Sequence, residues 1–422
     1  MNEGVGEPRK RPSWLWSWWS QFPAPLRELS LLRLIAAVGT GGVLYLTPLV
    51  FAEAAFAPLQ VTGGLALAAL AGAAGRLFCG HLLDRGLSCT VPLLLAAALA
   101  MAGDGGLLLA QSFPAYVAGQ LLLGIAAGLY WPAIELAVPL TCSPLPSARA
   151  FALVRTADAA GVALGALIGA GLAASGRLRG IYLVDLTGLL LLVGLLLAFP
   201  LPRIPRTPGR RLALEIGRWL PALLPLLLIA LLATAVPALM QSALPLDLVR
   251  GGLQRPPLAA APGALLIGLQ LGLLLLVQWP VGQALARQAL SRGLALSLLA
   301  MAAGALLLAL SALVSWGMVL VLLALLPLAL GQAAFLPIAT EAVVRITPAT
   351  HRGVAMALFS QCFALSAVLA PLLAGWLLEH HRHGVGLWLL LVVALLCGLL
   401  PVRALAAAQA GSPSGRGAGQ AS

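Results

Sequence analysis

Twelve long, predominantly apolar runs follow one another along this chain, separated by short polar segments. That repetition limits the fold more than any other feature. An α-helix needs about 20 apolar residues to cross the hydrocarbon core of a bilayer, and it satisfies its own backbone hydrogen bonds there. The first six runs lie at about 29–51, 61–82, 90–110, 116–138, 150–173 and 180–199. The second six lie at about 219–240, 261–285, 289–311, 316–343, 354–378 and 386–402. Leu and Ala dominate and nothing alternates with period two, so the spans read as helices rather than barrel strands. Hydrophobic residues make up 61% of the chain and charged residues 9%, whereas a soluble domain carries roughly 25% charged residues. A soluble enzyme, a nucleic-acid module and a disordered scaffold are excluded. The expected fold is an all-α membrane protein of twelve transmembrane helices.

The net charge of +12 does not form a nucleic-acid face, because the cations are scattered through short loops. With the N-terminus in the cytosol, 17 Lys and Arg residues fall in inside loops and tails and 5 in outside loops. By the positive-inside rule both termini are expected in the cytosol, with the protein in the plasma (inner) membrane. The domain boundaries read as follows: an N-terminal segment 1–28 with a Trp-rich interfacial stretch, a six-helix bundle 29–199, a Pro/Arg-rich linker 200–218, a second bundle 219–402 and a disordered tail 403–422. The five cysteines show neither a CxxC nor metal-ligand spacing. Glu379-His380-His381-Arg382-His383 falls in an outer loop and reads as solvated, so neither metal nor cofactor is expected.

The two halves repeat each other. Gly80-His-Leu-Leu-Asp84-Arg85 follows the second run, and Gly282-Gln-Ala-Leu-Ala286-Arg287 follows the eighth, 202 positions later. Tyr130-Trp-Pro132 has its echo in Phe335-Leu-Pro337, and Arg149-Ala-Phe-Ala152 in Arg352-Gly-Val-Ala355, at offsets of 205 and 203. Three matches at nearly one offset indicate a 6+6 duplication. At these residues the chain resembles the major facilitator superfamily across all twelve helices. That family's loop after its second helix reads approximately G-x-x-x-D-R-x-G-R-[RK]. Gly80, Asp84 and Arg85 match it, Gly86 comes one residue early, and Ser88-Cys89 replaces the basic pair. The resemblance implies two six-helix bundles that rock about a central site. It also implies a gating motif of Gly80, Asp84 and Arg85 that closes the cytosolic side, with Arg149 and Arg352 at the starts of the fifth and eleventh helices.

The fifth run carries Gly161, Gly165 and Gly169, spaced i, i+4 and i+8, together with Gly171. Such a stripe lets a neighbouring helix approach closely, and all four glycines are expected to pack. The stripe is also similar to the antiporter signature G-x-x-x-G-P-x-x-G-G of the family's drug/proton branch, with Ala166 for the Pro and Ala170 for the second Gly of the pair.

Ionisable groups at membrane depth are costly and mark function. Arg155 and Asp158 are spaced i, i+3 and can neutralise one another, either as a permanent pair or as a proton or substrate switch. Glu135 and Glu341 sit near the cytosolic ends of the equivalent fourth and tenth runs, as gate ion pairs or substrate ligands. Glu341 also has Arg345 one turn on. Arg33 and Arg76 either snorkel or partner Asp158 or Glu135. Asp104 and Asp185 fall towards the outer ends of their runs, where water or pairing with Arg177 or Arg179 is expected.

In the family the cavity is lined mainly by the first, fourth, seventh and tenth helices, with help from the second, fifth, eighth and eleventh. The resemblance therefore makes Tyr45, Tyr130, Trp131, Gln241, Gln270, Gln332, Phe335 and Gln361 lining candidates. An aromatic and amide surface with few charges suits a neutral, amphipathic or weakly cationic small molecule. The expected function is proton-coupled efflux of a hydrophobic or amphipathic compound by a monomer. Uptake or facilitated diffusion of a neutral metabolite is the alternative, and a transport-inactive scaffold or sensor a third reading.

Overall fold

The computed structural model describes residues 19–84, 86–145, 147–202, 216–285, 288–348 and 352–410. The linker expected at 200–218 therefore lies mostly outside the described residues, as do Arg85, most of the N-terminal Trp-rich stretch and the tail beyond residue 410.

Each apolar run is a helix. In the first half these are α1 (Ala24–Glu53), α2 (Pro58–Asp84), α3 (Thr90–Leu109), α4 (Phe113–Thr141), α5 (Ser147–Ala174) and α6 (Gly180–Ala198). The second half has α7 (Ile216–Arg250), α8 (Ala260–Leu285), α9 (Leu290–Ser311), α10 (Gly317–Ile346) and α11 (Arg352–His381), then α12 (Val385–Cys397) continuing into α13 (Leu399–Ala410). Twelve of these segments are long and apolar enough to cross a membrane, α12 and α13 together making the twelfth. Leucines such as Leu77, Leu109, Leu190 and Leu276 stand exposed around the bundle. A belt of that size has no place in water and suits lipid. The chain is a multi-pass membrane protein.

Several helices outrun the hydropathy signal. α7 continues from residue 240 to Arg250 through Pro245, and α13 reaches Ala410, past the residue 402 at which the apolar pattern ends. Proline inside these long helices is tolerated because neighbouring helices satisfy the freed backbone.

Helices α1 to α6 form one bundle and α7 to α13 the other. The faces of the molecule are called terminal, where α1 begins and α13 ends, and distal. Contacts between bundles gather in the distal halves. Tyr45 of α1 accepts a hydrogen bond from Gln241 Nε2 of α7 at 3.3 Å. Gly375 of α11 packs on α2, where an added Cβ would lie 3.0 Å from Leu59 Cα and collide with Thr62 Oγ1. Gly268 of α8 faces Leu167 of α5 in the same way, at 3.1 Å.

Candidate functional site

The glycine stripe of α5 builds the site. A Cβ at Gly161 would strike Ala37 and the Leu34 carbonyl, one at Gly165 the Val38 carbonyl, and one at Gly169 the Leu46 side chain. α5 thus lies directly on α1. Gly171 departs from the expectation for the stripe: it is exposed with nothing within 4 Å of an added Cβ, because it falls on the far side of the helix.

This close approach brings Asp158, one turn before Gly161, against Arg33 of α1. The two form an ion pair in which Arg33 is 4% and Asp158 19% exposed. The guanidinium carbon also lies 4.2 Å from the ring centre of Trp131 and 5.1 Å from that of Tyr130. Those two rings stand perpendicular to one another at 6.0 Å. A desolvated cation–π contact contributes up to about 2 kcal/mol, so Arg33 is held from two sides. Arg155 does not take Asp158 as its partner, as the i, i+3 spacing suggested. It pairs with Glu135 of α4 at 3.5 Å, both half exposed, where solvent limits the pair to about 1 kcal/mol or less. The crossing of three helices decides the pairing. Arg33, buried, takes the nearer carboxylate and Arg155, at the mouth, turns to the other. Arg33, Trp131, Glu135, Phe151, Arg155 and Asp158 line one small pocket in the terminal half of this bundle. Arg76 lies within electrostatic range of Glu135 and forms no ion pair among the described residues.

The other candidates are more dispersed. Tyr45 and Gln241 join the bundles. Phe335 is 4% exposed and stacked on Phe359 at 6.5 Å, which makes it a packing residue of the second bundle rather than cavity lining. Gln332 Nε2 and both amide atoms of Gln270 are buried without a hydrogen-bond partner among the described residues. Gln361 is exposed in an apolar crevice between α2, α7 and α11. Glu341 pairs with Arg345 on its own helix. Of the gating motif, Gly80 has open space around its Cα, and the side chains of Asp84 and Arg352 lie outside the described residues. Arg149 donates to Gln21 Oε1 at 3.2 Å and covers the Phe22 ring at 5.5 Å.

Two groups of charges were misplaced or missed by sequence reasoning. Asp104 of α3 and Asp185 of α6 are not solvated at the outer face. They are 0% and 4% exposed and lie within hydrogen-bonding reach of each other. Arg179 does not pair with either; it donates instead to the carbonyls of Leu108 and Ala110, both at 2.9 Å. In the second bundle Asp247 and Arg255 form a fully buried ion pair at 2.9 Å. Arg255 also donates to the Asp247 carbonyl and to Ser311, and Trp388 Nε1 donates to Asp247 Oδ2 at 3.1 Å. Arg255 lies in the loop after α7, as the apolar pattern implies, but that loop folds back and buries it at 2% exposure. An acid inside the last turn of a longer α7, eight residues before an Arg, was the available signal.

The family model described as "Major Facilitator Superfamily" matches residues 29–326 and again 264–421. The chain belongs to the major facilitator superfamily. It is accordingly a membrane transporter of the major facilitator type that moves a small molecule. No curated relative matches at the level of sequence. Among solved structures, the nucleoside transporter NupG is 14% identical with a TM-score of 0.74, covering 90% of this chain and 99% of its own. A POT family transporter in complex with 5-aminolevulinic acid is 14% identical with a TM-score of 0.76, covering 91% and 97%. A POT peptide transporter in complex with sulfate is likewise 14% identical with a TM-score of 0.72, covering 92% and 94%. At such identities the likeness concerns the fold of this superfamily member.

Proposed function

We propose that this transporter exports small hydrophobic or amphipathic compounds in exchange for protons, by exposing a site between its bundles to each face in turn. The observation that carries the reading is the Arg33–Asp158 pair, buried against Tyr130 and Trp131 beside a pocket. A buried carboxylate with one basic partner is stable only while that partner stays. A proton arriving on Asp158 removes its charge and frees Arg33, and departure of the proton restores the pair. That exchange gives the bundle two discrete arrangements for one proton. The crevice between α2, α7 and α11 supports an apolar cargo, since Gln361 is the one amide among its thirteen lining residues.

In this proposal the terminal face is cytosolic, as the excess of cations there supports, and the protein works as a monomer in the plasma membrane. The distal contacts Tyr45–Gln241 and Gly375–Thr62 then hold the outer side closed. Asp84, Arg85, Arg149 and Arg352 serve the opposite closure, the role their match to the family motif suggests.

The decisive experiment is flux of a ligand, chosen by thermal-shift screening, in inverted and right-side-out vesicles under an imposed pH gradient. Gradient-driven uptake into inverted vesicles is expected, and Asp158→Asn should abolish its dependence on the gradient. Accumulation in right-side-out vesicles regardless of the gradient would replace export by uptake of a neutral solute. Unchanged coupling in Asp158→Asn would remove that residue as the proton carrier.

A further inference from the structure

Asp104 and Asp185 are buried where α3 packs on α6, in the distal halves of both helices. Their side chains are within hydrogen-bonding reach, yet among the described residues no N–H or O–H donates to either oxygen of Asp104 or to Asp185 Oδ1. Neither residue enters an ion pair among the described residues. Room for the pair is made by Gly39 of α1, where any Cβ would overlap Asp185 Oδ1 and lie 2.6 Å from Asp185 Cα.

Two ionised carboxylates are both pure acceptors, so they cannot bond to each other and they repel. Bringing two such charges out of water without a cation costs more than a helix interface returns. One proton resolves both problems. It neutralises one carboxyl and turns it into the O–H donor that the other lacks.

We propose that Asp104 and Asp185 form a proton-binding site, holding one shared proton within the first bundle. Binding takes a proton from water, forms one O–H bond and an O–H···O hydrogen bond, and changes the charge of the pair from −2 to −1.

Other polar groups stand within electrostatic range of the pair towards each face. Towards the terminal face, Tyr130 of α4 lies within electrostatic range of Asp185 on one side and of Arg33 and Asp158 on the other. Towards the distal face, Tyr182 of α6 is within range of Asp104 and Arg179, and its hydroxyl lies 3.1 Å from Thr47 Oγ1 of α1. Arg179 ends the series at the carbonyls of Leu108 and Ala110. The pair thus has polar groups within electrostatic range towards both faces of the first bundle. The site holds its proton whether or not transport is proton-coupled.

The test is infrared spectroscopy of the purified full-length protein, observing the C=O stretch of a protonated carboxylic acid. The wild type should show this stretch at about pH 7, shifting in D₂O. Asp104→Asn should lose it, because the amide supplies the missing donor to Asp185. The melting temperature of the wild type should fall as pH rises and the proton leaves, while Asp104→Asn should show a distinctly shallower fall over the same range. If that variant does not yield a monodisperse protein, Asp185→Asn provides the same comparison. Absence of the stretch from the wild type, or its persistence in both variants, overturns the proposal. A stretch that disappears with added NaCl, with a melting temperature raised by NaCl but not by choline chloride, also overturns it and assigns the pair to a metal cation.

Discussion

The two bundles descend from one pattern, and they solve the same two problems differently. The helix pair α1–α5 of the first half corresponds to α7–α11 of the second. In the first, Gly161, Gly165 and Gly169 bring backbone against backbone. In the second, hydroxyls do the joining: Ser366 donates to the Leu231 carbonyl at 2.7 Å, with Thr234 Oγ1 2.8 Å from its oxygen. The buried acids differ more. In the second bundle Asp247 is neutralised by Arg255 and fixed by Trp388. At the 203-position offset, Trp388 is the counterpart of Asp185, whose carboxyl in the first bundle faces another acid. The second bundle's buried acid is thus neutralised by a protein cation. In the two proposals above, the first bundle's depend instead on groups that exchange, namely Arg33 for Asp158 and a proton for Asp104 and Asp185. On those proposals the molecule divides into a working half and a bracing half.

The largest test of this division is Arg255→Ala. It leaves Asp247 buried without a cation and is expected to cost about 3–5 kcal/mol, read as loss of a monodisperse elution peak or a large fall in melting temperature. The double variant Asp247→Asn, Arg255→Met should lose much less. Equal losses for single and double variants would show that the pair does not brace the bundle by its charge. Next in size is Gly165→Leu, which drives α1 from α5 and is expected to cost about 1–3 kcal/mol through overpacking. Because it also parts Arg33 from Asp158, transport should fall with stability, whereas Gly171→Leu on the exposed side should stay within about 0.5 kcal/mol of wild type. Similar melting curves for the two glycine variants would break the account of the stripe. The smallest effect is that of the hydroxyls. A double-mutant cycle on Thr234→Ala and Ser366→Ala should return a coupling of about 0.6 kcal/mol, with about 1.7 as the upper bound. A coupling near zero would leave α7–α11 held by apolar packing alone.

Much of this architecture was legible in the chain. Hydropathy is summed along one dimension, so the twelve spans and their division into halves could be read without knowing any contact. The glycine stripe was legible for the same reason, since i, i+4 spacing fixes a face of a helix, although Gly171 shows that the face has an edge. The ends of helices were less legible. The apolar run ends at about residue 240, but neighbouring helices bury Ser242 and Pro245 and α7 continues to Arg250.

By itself, the sequence determined that this protein crosses a membrane twelve times as two related halves, because burying apolar runs in lipid requires no particular partner. Only the tertiary structure decided which charges meet. Rotating a helix by one residue turns a side chain through about 100°, and the partner of Asp158 proved to be Arg33, 125 positions away, rather than Arg155 on the same helix. Asp104 and Asp185 are separated by 81 positions, and nothing local to either marks the other. An ionisable group in an apolar medium takes whichever partner the packing delivers, and packing is a property of the assembled bundle.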